Sequence, residues 1–80
     1  SLNHPIKSIG KAIKVLRVNQ ALSMKELSNR TGIRCNRLNR IEQGEKSASL
    51  MEMHLIAKAL DTDIMRLIVK SNELKSLPFR

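Results

Sequence analysis

Residues 24–43 read MKELSNRTGIRCNRLNRIEQ, and their pattern is that of two short helices meeting at a tight turn. Ser23 and Glu26 form a capping-box signature at the start of the first helix: a hydroxyl placed to take the N–H at Glu26, and a carboxylate placed to reach back. Glu26 is therefore read as a cap rather than a catalytic acid. Leu27 points inward, and Ser28 is a small residue where a second helix passes close. Gly32 stands where the first helix must stop, because a left-handed residue is cheap there only for glycine. Thr31-Gly32-Ile33 makes the turn, and the second helix is expected from about Arg34 to Gln43. With residues placed about 100° apart, Leu38 and Ile41 mark its buried side. Asn36, Asn39, Arg40 and Gln43 fall opposite, with Cys35 and Arg37 on the two shoulders. No acidic residue occurs on that outer face, and Gly44 ends the helix.

Outward from this pair, Ile6, Ile9, Ile13 and Leu16 recur at spacings of three and four, one apolar stripe of a helix. Lys7, Lys11, Lys14 and Arg17 occupy its other faces. Pro5 suits the first turn, where its missing N–H is harmless. Gly10 weakens such a helix by about 1 kcal/mol relative to Ala and permits close packing against a neighbour. This helix should end near Asn19. On the far side, a polar connection over 45–48 leads to a second capping box, Ser49 with Glu52. Leu50, Met53, Ile56, Ala57 and Leu60 then give an apolar stripe, with His54 at its edge. Asp61-Thr62-Asp63 breaks that helix and caps a fifth, in which Ile64, Leu67 and Ile68 repeat; beyond Lys70 the pattern fades. The expected organisation is a loose arm over 1–5, an all-α domain over 6–70, and an extension over 71–80. Leu74, Leu77 and Phe79 in that extension are apolar residues available to a dimer contact.

The formal charge of the 80 residues is +8. Ten basic and three acidic residues lie between Lys7 and Lys46, a balance of +7, against five and four from Ser47 onward, a balance of +1. Charge gathered on the half that holds the helix pair is the footprint of a polyanion-binding face; the plainer alternative is a solvated basic surface. A basic amphipathic first helix also suits an anionic membrane, but the rest of the chain offers enough apolar faces to cover it. One aromatic residue, Phe79, means an aliphatic core. A chain of this size buries only about 60% of its unfolded surface and gains from a partner subunit. A single cysteine, Cys35, excludes an internal disulfide framework and fits a reducing compartment. No apolar run approaches the ~20 residues that span a bilayer, so a cytoplasmic protein is expected. His4, Cys35 and His54 are scattered, without metal-ligand spacing or a phosphate loop. An enzyme is the weakest reading, and no cofactor or metal is expected.

The chain resembles the XRE family, the lambda-repressor and Cro type of helix-turn-helix protein. The resemblance runs from about Ile9 to Leu67. It is carried by Ile-x-x-Leu-Arg at Ile13 to Arg17, Leu22-Ser23, Glu26-Leu27-Ser28 and Thr31-Gly32-Ile33. Arg-Ile-Glu-Gln-Gly from Arg40 to Gly44, Ser49-Leu50, and Ile-Ala-Lys-Ala-Leu from Ile56 to Leu60 complete it. The resemblance implies a five-helix lambda-repressor-like bundle, with helices two and three as the motif. It implies a partly buried ion pair between Arg17 and Glu42, and a third helix lying in the major groove of DNA. The matching base-reading positions are Cys35, Asn36 and Arg40, with Arg34 and Asn39 close by. Their chemistry fits, since Arg pairs with guanine and Asn with adenine through two bonds each. Arg37, Gln43 and Lys46 are placed for phosphate, as are the backbone N–H groups opening the second helix at Ser23, Met24 and Lys25. Two departures stand out. Met24 occupies a position where the family commonly has Gln, and Arg34 one where it often has Ser or Thr. Cys35 is suited to a thymine methyl, with redox sensing as the lesser alternative. The implied function is a sequence-specific regulator of double-stranded DNA, a repressor acting as a homodimer on a pseudo-palindromic operator. The competing reading is an antitoxin or bridging subunit that works through protein contacts.

Overall fold

The computed structural model describes the backbone of residues 4–76 and the side chains of residues 9–74. Among the described residues there are five helices and no strand: α1 (His4–Asn19), α2 (Met24–Thr31), α3 (Cys35–Glu42), α4 (Leu50–Ala59) and α5 (Ile64–Ser76). The expected arm over 1–5 therefore meets α1 at His4; residues 1–3, with Leu77 and Phe79, lie outside the described residues. The all-α expectation holds.

The apolar stripes meet in one aliphatic core. Ile9, Ala12 and Ile13 of α1, Leu27 of α2, and Leu38 and Ile41 of α3 are buried with Met53, Ile56, Ala57, Leu60 and Leu67. Helix α1 packs most extensively on α5 and also crosses α3, while α2 rests on α3 and α4. The crossing of α1 over α3 depends on Gly10. A β-carbon there would overlap the Ile41 carbonyl oxygen and come within 2.8 Å of that of Glu42. Backbone cannot move aside as a side chain can, so the glycine fixes how closely α1 lies on the end of α3.

Helix α5 runs six residues past Lys70, where the sequence pattern fades, so the boundary after 70 falls inside a continuous helix. The stripe is not lost there. Ser71 occupies its next inward position and is buried, and Leu74 packs on the core one turn later. A small hydroxyl stands where the periodicity asks for an apolar residue, which hides the helix from a hydrophobic count.

The helix pair is held by its own turn residues. Both hydrogen bonds of the capping box form at Ser23 and Glu26, and both form again at Ser49 and Glu52. Gly32 takes φ 77°, as its place in the turn requires. Thr31 Oγ1 accepts the Ile33 N–H at 3.1 Å and donates to the Leu27 carbonyl at 2.9 Å. Ser28 is more than a small residue: its hydroxyl donates to the Ile33 carbonyl. Three other helices end in one motif, a left-handed residue between a five-residue and a three-residue hydrogen bond. At α3 the left-handed position is Gly44. At α1 and α4 it is Ala21 and Asp61, residues that give no glycine signal.

Candidate nucleic-acid interface

Helix α3 turns Leu38 and Ile41 into the core and leaves Asn36, Asn39, Arg40 and Gln43 exposed, with Arg34 exposed just before its first turn. The face is cationic and rich in amides, with no carboxylate on it. Arg34 sits at the N-cap in an extended conformation and makes no side-chain cap bond. The first-turn N–H groups of α3 thus have no side-chain acceptor at that position, and Arg34 keeps its guanidinium for other partners. Cys35 is half-buried on one shoulder. Met24 is also half-buried and packs against the core, which explains an apolar residue at the start of α2.

Two clefts border this face. One, of about 250 Å³, is lined by Arg34, Asn36, Arg37, Arg40 and Lys46, so five of the expected contact residues come together there. The other, of about 360 Å³, brings Asn39 and Gln43 beside Lys11, Lys14, Arg17 and Glu42. Ser23, Met24 and Lys25 line neither cleft; they lie together at the opening of α2. There the Ser23 hydroxyl and the Glu26 carboxylate are engaged with each other's backbone. The hydrogen bond from the Ser23 backbone N–H to the Glu26 carboxylate, with the Ser23 hydroxyl acting in the same direction, holds that carboxyl below the usual range.

Each shoulder of α3 carries an arginine–carboxylate pair with two bonds. On the α1 side, Arg17 Nε donates to Glu42 Oε2 at 2.7 Å and Nη2 to Oε1 at 3.0 Å, while Nη1 reaches the Leu22 carbonyl at 2.9 Å. The bond to Glu42 raises the Arg17 pKa against the opposing effect of burial. On the α4 side, Arg37 Nε donates to Glu52 Oε2, and Nη2 donates both to Glu52 Oε1 at 2.9 Å and to the Ser47 carbonyl at 3.2 Å. Arg37 holds the Glu52 carboxyl down at about 2, the cap bonds from Ser49 acting in the same direction and burial opposing them. The resemblance implies a phosphate contact for Arg37; in the free protein its guanidinium is committed to Glu52. In the sequence Glu52 shows only as the capping-box partner of Ser49. It faces Arg37 from fifteen residues away, on another helix, and no sequence spacing announces that. The sequence puts Lys11 and Lys14 on faces of α1 away from its apolar stripe, and only the crossing at Gly10 brings them beside α3.

Among the described residues, no group of three or more His, Cys, Asp and Glu is placed to hold a metal ion. No helix of the described residues is long and apolar enough to cross a membrane. In comparisons with known proteins, the profile of a family described as helix-turn-helix matches residues 13–67. A comparison with curated proteins gives no match.

Proposed function

The chain belongs to the XRE-type, lambda repressor/Cro-like helix-turn-helix family of DNA-binding transcription regulators, and on that premise we propose that it represses transcription by occupying a pseudo-palindromic operator as a homodimer. The observation that carries the reading is the outer face of α3, where exposed Asn36, Asn39 and Arg40 stand together without an acidic neighbour on that face. In this reading α3 enters the major groove. Asn36 and Arg40 pair with base edges, and Arg34, Cys35 and Asn39 complete the reading edge. Lys46, Gln43, Arg37 and the opening of α2 at Ser23, Met24 and Lys25 take phosphates.

The dimer contact is placed on α5. Met65 and Val69 lie one turn apart on that helix and are both exposed, an apolar pair that a second copy would cover. Two copies then present their α3 helices to half-sites about 34 Å apart.

Selection of binding sites from random duplexes tests the reading. The expected outcome is a two-fold-related pair of half-sites bound far above random DNA. Binding that never exceeds the random-DNA level would instead favour a subunit that works through protein contacts. Asn36→Ala and Arg40→Ala should each cost about 1–3 kcal/mol on the selected site and relax its sequence preference. Val69→Lys should shift the mass in sedimentation toward the monomer and weaken the full operator more than a single half-site.

A further inference from the structure

The contacts assigned above use the cleft on the α4 side of α3 and leave the one on the α1 side almost without a role. Three cations and one carboxylate line it: Lys11, Lys14 and Arg17 against Glu42. Both Glu42 oxygens are bonded to Arg17, so the carboxylate is fully occupied by one of the three cations. Lys11 and Lys14 are exposed, three residues apart on one face of α1, and neither joins an ion pair among the described residues. Neighbouring like charges at this spacing repel. The core gains nothing from them, because the buried stripe of α1 runs through Ile9, Ala12 and Ile13. Across the cleft the exposed Gln43 amide donates to the Asn39 carbonyl oxygen, and each amide group has further N–H donors.

We infer that this cleft is a second phosphate site, in which Lys11 and Lys14 hold the DNA backbone that runs along the α1 flank of α3. The inference rests on the reading of α3 as a helix inserted in the groove. A helix lying in a major groove roughly 12 Å wide meets a phosphate backbone on each wall. The two clefts occupy the two flanks of α3, so each wall meets its own cationic cleft: Arg37 and Lys46 on one side, Lys11 and Lys14 on the other. A lysine ammonium is a point charge on a flexible stem, suited to phosphate and unable to specify a base by a fixed pair of bonds. The contribution of this flank is therefore positional and independent of sequence.

The test is Lys11→Gln with Lys14→Gln in the full chain, measured on the selected site and on random duplex over a salt series. A charge-matched pair, Lys58→Gln with Lys70→Gln, serves as the control. The expected result is equal weakening on both DNAs. The slope of log affinity against log salt should flatten by about 2, roughly 0.9 for each lost phosphate contact. Melting temperature should not fall, since a repelling pair is removed, and the selected sequence should not change. An unchanged slope, an equal flattening by the control pair, or a loss confined to the selected site would each overturn the inference while the wild type still binds and α3 keeps its role. A wild-type chain that binds no DNA at all would overturn the reading of α3 as well, so the two failures are distinguishable.

Discussion

The two shoulders of α3 carry the same chemistry in two different environments. On the α1 side, the Arg17 side chain is 14% exposed and that of Glu42 is 3%. On the α4 side, Arg37 is 41% exposed and Glu52 is 18%. Both arginines make two bonds to their carboxylate and one to a main-chain carbonyl, at Leu22 and Ser47. Burial separates them. A charge shielded from water loses most of its solvation, and removing its partner leaves that loss uncompensated. A charge that water still reaches can exchange a carboxylate for solvent, or for a phosphate, at little cost. The α1 shoulder is a fixed hinge pin for α3, and the α4 shoulder is a contact that can be traded.

The largest effect should come from breaking the buried pair. Glu42→Ala strands Arg17 and should lower stability by about 3 kcal/mol or more, read by chemical denaturation. Replacing both partners with apolar residues, Arg17→Met with Glu42→Leu, should recover most of that loss, because no buried charge is then left alone. Equal losses for Glu42→Ala and the double variant would mean that geometry rather than stranded charge sets the cost. Gly10→Ala acts on the same shoulder by a different route. It gains about 1 kcal/mol of helix propensity, yet drives a β-carbon into the backbone of Ile41 and Glu42. A net loss of about 1–3 kcal/mol is expected, the range for overpacking. A Gly10→Ala variant as stable as the wild type would show that α1 can slide on α3 and that the shoulder is not rigid.

The same contrast explains what could be read in the sequence. Five helices, the two capping boxes and the turn at Gly32 were legible because each is encoded within a few residues. The outer face of α3 was legible for the same reason: Leu38 and Ile41 fix its rotation, and the face opposite follows. Resemblance to the family placed Arg17 opposite Glu42 before any geometry, something that spacing across twenty-five residues could not do. What stayed hidden depends on packing between distant segments or on a residue of misleading type. Glu52 facing Arg37 and the approach of Lys11 and Lys14 to Asn39 are set by helix crossings. Ser71 conceals the last turns of α5 by standing as a polar residue in an apolar stripe, and Ala21 and Asp61 adopt left-handed conformations at helix ends where only glycine is a reliable signal.

A smaller effect should follow from Glu52→Gln, which keeps an acceptor for the cap of α4 and removes the charge that holds Arg37. Its cost in stability should be about 1 kcal/mol or less, the range for pairs that water can reach. Its effect on DNA has the opposite sign. With the carboxylate gone, Arg37 is released into the cleft it shares with Arg34, Arg40 and Lys46. Binding to selected and random duplex should then tighten alike, because Arg37 no longer gives up a carboxylate to reach its phosphate. Equal affinity of the two proteins on both duplexes would place Arg37 outside the phosphate contacts.

The α4 shoulder also has an acid limit. The folded Glu52 carboxyl titrates at about 2, below the ordinary 4.5, because Arg37 favours its charged form. A carboxyl depressed in the folded state stabilises it above the ordinary value, and that contribution drains away as the pH falls from about 4.5 toward 2. The wild type should therefore lose stability relative to Glu52→Gln across this window, and the two denaturation midpoints should draw together toward pH 2. Above pH 5 their separation should be constant. This is the smallest of the predicted effects, yet it isolates the exposed pair. Arg17 stays charged throughout, and the Glu26 cap, whose own carboxyl is also depressed, is common to both proteins and cancels in the difference. A separation that did not change between pH 5 and pH 2 would mean that the Arg37–Glu52 pair contributes no net stability in solution, leaving α3 braced from the α1 side alone.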